Sequence, residues 1–522
     1  MKLANTLGTI LAAVALVSSA PTSRQQDGKF AVRQEEDAVY GNLTLDTTAE
    51  RFTFDYATSD PFSTNWIGLY PAAGGGPVDE EYVSPSTVWK YAPETEGSVY
   101  LSTEALQPGD YQVYFLARDG YRWLAEPITV TLSAPPAELK FPVESATLHN
   151  ARQWSAYTAQ VEGLLLGKGD SAVTFEKANG DEWISVGEDG TLSGKPGIFN
   201  RDESMVTVRA IADNGSTATL KLRVPVRKAW QPLVQDLRIM AFNLWHGGTR
   251  VSNFQEKQLR FILDSGADVV VLQEASGSHG QRLGQALGWS YFQSAGSVAV
   301  ISRYPIVEKY GEISASGGVR ININGNRRLS LSSTEINVWS AHLGYTPYGP
   351  YDFCFDNMTK EEVLAREAES GRTPQITAIL SGIQSQLRNS RRVPVILAGD
   401  FNAPSHLDWV PALAEKNCGV DSFDWPTSIL PTARGLVDSF RVANPDPVAV
   451  QATTWSPLYP RHNGDTGREE PQDRIDFIYH TREGLRVIES KAIVVENPRP
   501  YPQHADNEWT TDHAAVLTHY RL

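Results

Sequence analysis

The sequence predicts a multidomain protein in which two all-β sandwiches precede a larger α/β domain. A chain of 522 residues is too long for one hydrophobic core. Its first part contains short β-rich runs separated by turn signals, a pattern typical of sandwiches. From Leu237 onward, buried apolar runs alternate with stretches of helical periodicity, which is typical of an α/β domain. The hydrophobic fraction of 41% and charged fraction of 20% indicate compact, globular folding throughout.

The first sandwich is predicted over residues 36–133. Strand candidates include Arg51–Tyr56 and Ile128–Leu132, and the runs are separated by turn residues. The segments Asn65–Tyr70 and Gly109–Phe115 resemble the small sandwich called SKICH. That resemblance implies an accessory module.

A second sandwich is predicted over residues 138–228, after the linker Ala134–Ala137. Trp183–Val186, followed by Thr191–Gly197, resembles the cadherin-like or immunoglobulin-like modules of secreted hydrolases. The simplest interpretation of this module is a spacer.

The amino terminus predicts export. Residues 1–20 carry an early lysine, an apolar run and small residues at the end, which is the pattern of a secretory signal peptide. No later stretch is long and apolar enough to cross a bilayer. Sequons at Asn42, Asn214 and Asn357 are candidate glycosylation sites. We therefore expect a secreted, soluble glycoprotein.

Cys354 and Cys418 are the only cysteines in the sequence. Two cysteines exclude a disulfide framework and permit at most one intramolecular bridge. The sequence leaves open whether that bridge forms.

The third domain is predicted over residues 236–522. Helical periodicity covers Phe254–Leu263 and a longer stretch, Glu361–Leu387. The predicted strands are Asp236–Asn243, Asp268–Glu274, Val298–Ile301, Ile336–Ser340 and Val393–Gly399.

Polar side chains stand where apolar runs of this domain end. Each alone is usually a helix cap, a turn residue or a structural histidine. Together they would converge on one cleft of an α/β fold, and their oxygen-rich composition suits hard cations such as magnesium. These residues are Asn243, Glu274, His342, Asp400, Asn402, Asp476, Asp512 and His513.

Six motifs in order make the domain resemble the endonuclease/exonuclease/phosphatase, or deoxyribonuclease-I-like, family. The resemblance spans about residues 236–522 and implies a four-layered α/β sandwich with two central sheets. It also implies hydrolysis of phosphoesters. The motifs are Met240–Trp245, Val271–Glu274, Ser340–Leu343, Leu397–Asn402, Arg474–Ile478 and Thr511–Ala514.

The resemblance also implies metal ligands. Glu274 would be the principal ligand of a magnesium or manganese ion, with Asn243 and Asp512 near the same ion. Such an ion would polarise the phosphoryl oxygen.

The remaining motif residues would handle the phosphate and the attacking water. Asp400 and Asn402 would position the water and hold the scissile phosphate, while His342 would donate a hydrogen bond to the phosphate or the leaving group. His513 would pair with Asp476. Because family members are argued to use either the Asp or the His as the base, that role falls jointly on Asp400 and His513.

An aromatic loop follows His342. Tyr345, Tyr348 and Tyr351 lie within it and either pack on one another or form a platform for the substrate. For Trp425 and Trp455, core packing is favoured over a place at the rim.

The resulting prediction is a secreted, metal-dependent phosphodiesterase or phosphatase whose substrate is a small, lipid-linked or carbohydrate-linked phosphoester. An extracellular nuclease is the first alternative, but the net charge of −15 disfavours nucleic-acid binding. The second is a binding protein with a vestigial hydrolase domain, against which the complete motif set argues.

Overall fold

The computed structural model describes residues 41–47, 52–102, 106–132, 138–200, 202–324, 335–462 and 467–522. The predicted signal peptide lies outside these residues. The chain divides into two compact units, Met1–Pro135 and Pro136–Leu522. In the described part, no helix is both long and apolar enough to cross a membrane.

The first unit contains two larger antiparallel sheets, in the orders β1-β2-β7 and β6-β3-β8-β9, and the two-stranded pair β4-β5. Apolar side chains from both sheets share one core that includes Phe54, Ile67, Val113 and Phe115, all fully buried. The period of two along each strand puts these side chains inward. The strands are β1 (Asn42–Leu45), β2 (Thr53–Ala57), β3 (Trp66–Pro71), β4 (Pro77–Val78), β5 (Glu81–Tyr82), β6 (Val88–Tyr91), β7 (Glu96–Tyr100), β8 (Gly109–Leu116) and β9 (Ile128–Leu132).

The second unit begins with another β-rich region. Its sheets have the orders β10-β17-β16-β13, with β11 also pairing with β17, and β12-β15-β14. The long hairpin β16–β17 alternates buried and exposed residues, which fixes its register. The strands are β10 (Ser145–Thr147), β11 (Ala151–Arg152), β12 (Tyr157–Gln160), β13 (Val173–Gly180), β14 (Ile184–Val186), β15 (Thr191–Gly194), β16 (Asp202–Ala212) and β17 (Thr217–Arg227).

The rest of the second unit is built on two six-stranded mixed sheets, β20-β21-β19-β18-β29-β28 and β22-β23-β24-β25-β27-β26. Its strands are β18 (Asp236–Asn243), β19 (Val269–Gln273), β20 (Ser290–Gln293), β21 (Ala299–Ser302), β22 (Ile306–Ile313), β23 (Ser316–Asn322), β24 (Glu335–His342), β25 (Val395–Asp400), β26 (Leu436–Asp438), β27 (Asp476–Thr481), β28 (Arg486–Ile493) and β29 (Ala515–Arg521). Its helices are α1 (Phe254–Ser265), α2 (His279–Leu287), α3 (Gly349–Cys354), α4 (Lys360–Glu369), α5 (Arg372–Gly382), α6 (Gln384–Arg388), α7 (Pro426–Ala433) and α8 (Ser439–Ala443).

The two sheets pack face to face. Ile239 and Val271 of one sheet share a core with Val338 and Ile396 of the other. Side chains of α1 and α2 belong to a second core with the opposite face of the first sheet, and side chains of α5 pack on the second sheet. Strands covered on both faces explain the continuous apolar runs seen in the sequence.

The helical stretch predicted over Glu361–Leu387 is helical in the structure but interrupted. The structure contains three shorter helices there, α4, α5 and α6. Gly371 separates the first two with a φ of 86°, a left-handed conformation that glycine adopts without steric cost. Apolar periodicity continues across this turn, so the pattern alone did not reveal it.

Candidate active site

Strand register brings most of the predicted site residues to one end of the paired sheets. His342 ends β24 directly beside Asp400 at the end of parallel strand β25, and Asp400 is paired in turn with Asp476 at the start of β27. Asn243 ends β18 in register with Gln273, so Glu274 follows immediately. These ends border a cavity of about 610 Å³. It is lined by Trp245, His246, Glu274, Ser276, Ser297, His342, Tyr345, Asp400, Asn402, Trp455, Asp512 and His513.

His513 and Asp476 form a buried pair. His513 Nδ1 lies 2.9 Å from Asp476 Oδ2, so the Nε2 edge remains directed toward Asp400, whose Oδ2 is 3.8 Å away. Burial lowers the pKa of His513, but the carboxylates of Asp476 and Asp400 outweigh burial and hold it well above its ordinary value. Thr454 Oγ1 accepts the backbone N–H of Asp476 and fixes the start of its strand.

Asp400 is held by several donors. Its Oδ1 accepts the backbone N–H of Asn402 at 2.8 Å, and its Oδ2 accepts Nδ2 of Asn243 at 3.0 Å and Nδ2 of Asn402 at 3.2 Å. His342 Nε2 lies 3.7 Å from Oδ2, and Ser297 Oγ contacts the other ring nitrogen at 2.9 Å. Burial raises the pKa of Asp400 to about 6. The side chain is therefore rigid and faces two imidazoles.

Glu274, Asn243 and Asp512 form an oxygen-rich group beside this pair. Asn243 Nδ2 is 3.4 Å from Glu274 Oε1, and Glu274 Oε2 accepts the backbone N–H of His246 at 2.6 Å. Asp512 Oδ1 is buried and has no hydrogen-bond donor in the described part of the chain. Burial and the nearby charge of Glu274 together raise the pKa of Asp512 to about 7. A buried carboxylate oxygen without a donor, next to a second carboxylate, fits a divalent cation.

A second group of ligand atoms is also close enough for a metal. One atom from each of Asp400, Asp476 and His513 lies within 4.8 Å of the others. His513 Nδ1 and Asp476 Oδ2 are already bonded to each other, which leaves His513 Nε2 and the unpaired Asp476 Oδ1 as further donors. Asp476 and His513 could therefore bind a metal together with Asp400, in addition to the group formed by Glu274, Asn243 and Asp512.

Aromatic side chains form part of the cavity wall. Tyr345 is 71% exposed and lines the cavity, as do Trp245 and Trp455. The structure does not bring Tyr348 and Tyr351 to the lining.

The hydroxyls of Tyr348 and Tyr351 form hydrogen bonds with residues that do not line the cavity. Tyr348 is buried and bonds Asp473 Oδ2 at 3.2 Å, while Tyr351 bonds Glu470. Of the three loop tyrosines, only Tyr345 is therefore placed to meet a substrate.

The sequence favours core packing for Trp455 and gives no site role to four further lining residues, Trp245, His246, Ser276 and Ser297. Trp425 is buried, as predicted, but Trp455 lines the cavity with its ring centroid 5.1 Å from that of His513. Ser276 and Ser297 carry no motif signal. Trp245 closes the first motif and could have been suspected for that reason, as could His246, which follows it.

Cys354 and Cys418 are joined by a disulfide. The bridge ties α3, which contains Tyr351 of the aromatic loop, to the segment before α7. It links two cysteines that are 64 residues apart in the sequence.

Comparison with known proteins agrees with this geometry. Residues 240–513 match the model of the Endonuclease/Exonuclease/phosphatase family. The uncharacterized protein F14F9.5 of Caenorhabditis elegans is 32% identical over 293 residues, which cover 54% of this chain and 91% of that protein.

Similar solved structures include three with low sequence identity. Truncated TDP2 of Caenorhabditis elegans is 13% identical, with 55% of this chain and 98% of that chain covered and a TM-score of 0.35. An AP endonuclease of Archaeoglobus fulgidus is 17% identical, with 54% and 98% covered and a TM-score of 0.34. The 3'-5' exonuclease NExo of Neisseria meningitidis is 18% identical, with 55% and 100% covered and a TM-score of 0.35. By the match over residues 240–513, the chain belongs to the Endonuclease/Exonuclease/phosphatase family of phosphoester hydrolases.

Proposed function

We propose that this protein is a secreted, divalent-metal-dependent phosphodiesterase or phosphatase whose substrate is a small, lipid-linked or carbohydrate-linked phosphoester. The observation that supports this substrate class is the cavity lining. It contains three carboxylates and three imidazoles, and no described lining residue is Lys or Arg. A nuclease needs cationic side chains along the phosphate backbone, so the lining favours a compact substrate with aromatic contacts to Trp245, Tyr345 and Trp455.

The proposed metal ligands are Glu274, Asn243 and Asp512. The carboxylate oxygens of Glu274 and Asp512 suit magnesium or manganese, and the unpaired oxygen of Asp512 supports the choice. When bound, the ion would supply electrostatic stabilisation of charge on the phosphoryl and leaving oxygens.

The side chains around Asp400 would orient the reacting groups. Asn402 holds Asp400 in place, and the Asp400 carboxylate and the Nε2 edge of His513 face the same space. We propose that these two groups jointly take the proton from the attacking water and hold the phosphate. His342, fixed by Ser297, would donate a hydrogen bond to the phosphate or to the leaving oxygen.

The same proposal covers the architecture of the chain. Two β-rich regions with their own sheets are taken as two sandwiches, and the catalytic region as a four-layered α/β sandwich. The core shared by two face-to-face sheets, with helices on the outer faces, supports this layering.

The test is hydrolysis of bis(p-nitrophenyl) phosphate, sphingomyelin and plasmid DNA by the purified protein with magnesium, manganese or a chelator. We expect chelator-sensitive turnover of a small or lipid-linked ester that vanishes in Asp400→Ala and Glu274→Ala. Cleavage of DNA in preference to the other two substrates would assign the nuclease alternative. Turnover that survives both substitutions would refute the site.

The proposal of secretion is supported by the exposed sequons and the disulfide, and it is tested separately from the activity. The asparagines of all three sequons, Asn42, Asn214 and Asn357, are exposed. Disulfides such as Cys354–Cys418 persist in oxidising compartments. Expression in a eukaryotic host should place the protein in the medium, without residues 1–20 and with a mass that falls on enzymatic removal of N-linked glycans. Retention inside the cells with the leader intact would contradict export.

A further inference from the structure

A second cavity lies between the β-rich region of the second unit and its catalytic region. Its volume is about 680 Å³, and it shares no lining residue with the active-site cavity. One side consists of residues 149–152 and 154–159, which include β11 and the start of β12, and the other includes Ser290, Arg303 and Asn322. The reaction does not use any of these residues.

Two arginines line this cavity, and both are at least nine-tenths buried. Arg152 is 3% exposed, and its Nη2 donates to the backbone and side-chain oxygens of Asn324. Arg303 is 9% exposed, and its Nε donates to the carbonyl of Ala267. In the described part of the chain, Nε of Arg152 and Nη2 of Arg303 have no acceptor.

The carboxylates around these arginines are too few to balance their charge. Asp268 lies 4.0 Å from Nε of Arg303, but no described carboxylate forms an ion pair with Arg152. No described lining residue is Asp or Glu, although the whole chain carries 61 acidic residues. A buried guanidinium without a counter-charge is costly, and an anion from solution would remove that cost.

The other lining groups suit an organic ligand that carries such an anion. Trp154 is 53% exposed, and the ring of His149 lies 4.6 Å from that of Tyr157. Hydroxyls of Ser155 and Ser290 border the same space. Arginines recognise the planar or tetrahedral oxyanion, while aromatic rings and hydroxyls contact the remainder of the molecule.

We propose that this cavity is a binding site for a small oxyanionic ligand, a molecule with a phosphate or carboxylate group. The ligand's oxyanion neutralises Arg152 and Arg303. Because it contacts both the β-rich region and the catalytic region, its binding stabilises the junction between them.

The probes are inorganic phosphate and acetate, titrated calorimetrically into metal-stripped full-length protein in Tris chloride. Two substitutions remove the charge complementarity in different ways. Arg152→Gln deletes a cation, and Ser290→Asp places a carboxylate in the cavity that pairs with the arginines internally. Ser290→Asn is the matched control because it has the same shape without the charge. The His513→Ala variant alters the active site, so it distinguishes phosphate bound there from phosphate bound in this cavity.

We expect saturable binding of one anion per chain, weakened by about tenfold or more in Arg152→Gln and in Ser290→Asp. Ser290→Asn and His513→Ala should bind as the unaltered protein does. Tighter binding of phosphate or of acetate identifies which oxyanion the site takes. Absence of saturable binding, equal binding in Ser290→Asp and Ser290→Asn, or loss in His513→Ala would each overturn the proposal. Because no turnover is measured, this result is independent of the proposed activity.

Discussion

Glu470 is buried and accepts hydrogen bonds from three neighbouring side chains. The indole Nε1 of Trp455 donates to its Oε1 at 2.7 Å, Tyr351 donates to the same oxygen, and His462 Nδ1 lies 3.1 Å from Oε2. The hydrogen bond to Glu470 holds the Trp455 ring in place, and this ring lines the cavity and packs against His513. We therefore predict that Glu470, which does not line the cavity, affects the reaction by positioning Trp455.

Substituting Glu470 by Ala should release Trp455 and lower kcat/KM by about tenfold, since hydrogen bonds to a buried charged acceptor are worth roughly 1.5–3 kcal/mol. Glu470→Gln should keep most activity because its amide oxygen still accepts from the indole. In a Trp455→Phe background, which has no indole N–H, Glu470→Ala should add little further loss. Steady-state kinetics of the four variants measure this coupling, and additive losses would exclude it.

His480 provides a prediction about pH. The ring is 3% exposed and lies 2.8 Å from Ser439 Oγ, and burial lowers its pKa to about 4. The unfolded chain, with an ordinary histidine pKa, binds this proton at a higher pH than the folded protein does. Titration of His480 therefore leaves the free energy of unfolding unchanged above the pKa of the unfolded chain. It lowers that free energy as the pH falls from the unfolded pKa toward the folded pKa.

The stability of a His480→Gln variant should depend less on pH than that of the unaltered protein. The fall in unfolding free energy between about pH 7.5 and pH 5 should be smaller than in the unaltered protein by about 2 kcal/mol. Urea unfolding at both pH values measures it, and titration of other groups cancels in the comparison. Parallel pH dependence in both proteins would show that His480 is not the group responsible.

Residues at strand ends could be predicted from sequence, while those held by distant partners could not. Asp400 and Glu274 follow apolar strands directly, so the local pattern and the ordered motifs located them. Trp455 instead depends on Glu470, and Tyr348 on Asp473, 125 positions away. No local periodicity encodes such a pairing, so the sequence favours core packing for Trp455 and does not distinguish among the three loop tyrosines.

At the scale of elements, the aromatic loop and α3 are held by the disulfide from Cys354 to Cys418. Closing a loop of this length restricts the unfolded chain and contributes about 4 kcal/mol in the chain-entropy model. The sequence left the bridge open because two cysteines 64 residues apart carry no information on distance.

Replacing both cysteines by serine should lower the midpoint of thermal unfolding by several degrees, as measured by calorimetry. Reductant should lower the midpoint of the unaltered protein toward that of the variant and leave the variant unchanged. An equal response of both proteins to reductant would mean that the bridge does not stabilise the fold.

At the scale of the whole second unit, its β-rich region and its catalytic region share one hydrophobic core. Leu164 and Leu220 of the former belong to the same buried cluster as Leu283 and Phe242 of the latter. The spacer interpretation from sequence therefore understates this region. In the sequence, the apolar residues that contact the catalytic region cannot be distinguished from those of a sandwich interior. Periodicity shows which residues are buried but not which element covers them.

A close backbone approach in this junction gives the last prediction. A Cβ added to Gly163 would lie 2.6 Å from the carbonyl oxygen of Gln285 and 2.7 Å from that of Ala286, both in α2. Backbone atoms cannot move aside cheaply, so Gly163→Ala should destabilise the second unit by about 1–3 kcal/mol. Gly197→Ala is the matched control in the same region, because its Cβ would meet only Asn200 Oδ1 at 3.7 Å. Denaturant unfolding should show a lower midpoint for Gly163→Ala alone, and the anion affinity of the neighbouring cavity should fall with it. If the two variants unfold alike, the β-rich region is a spacer after all, and its contact with α2 contributes nothing to the stability of the catalytic region.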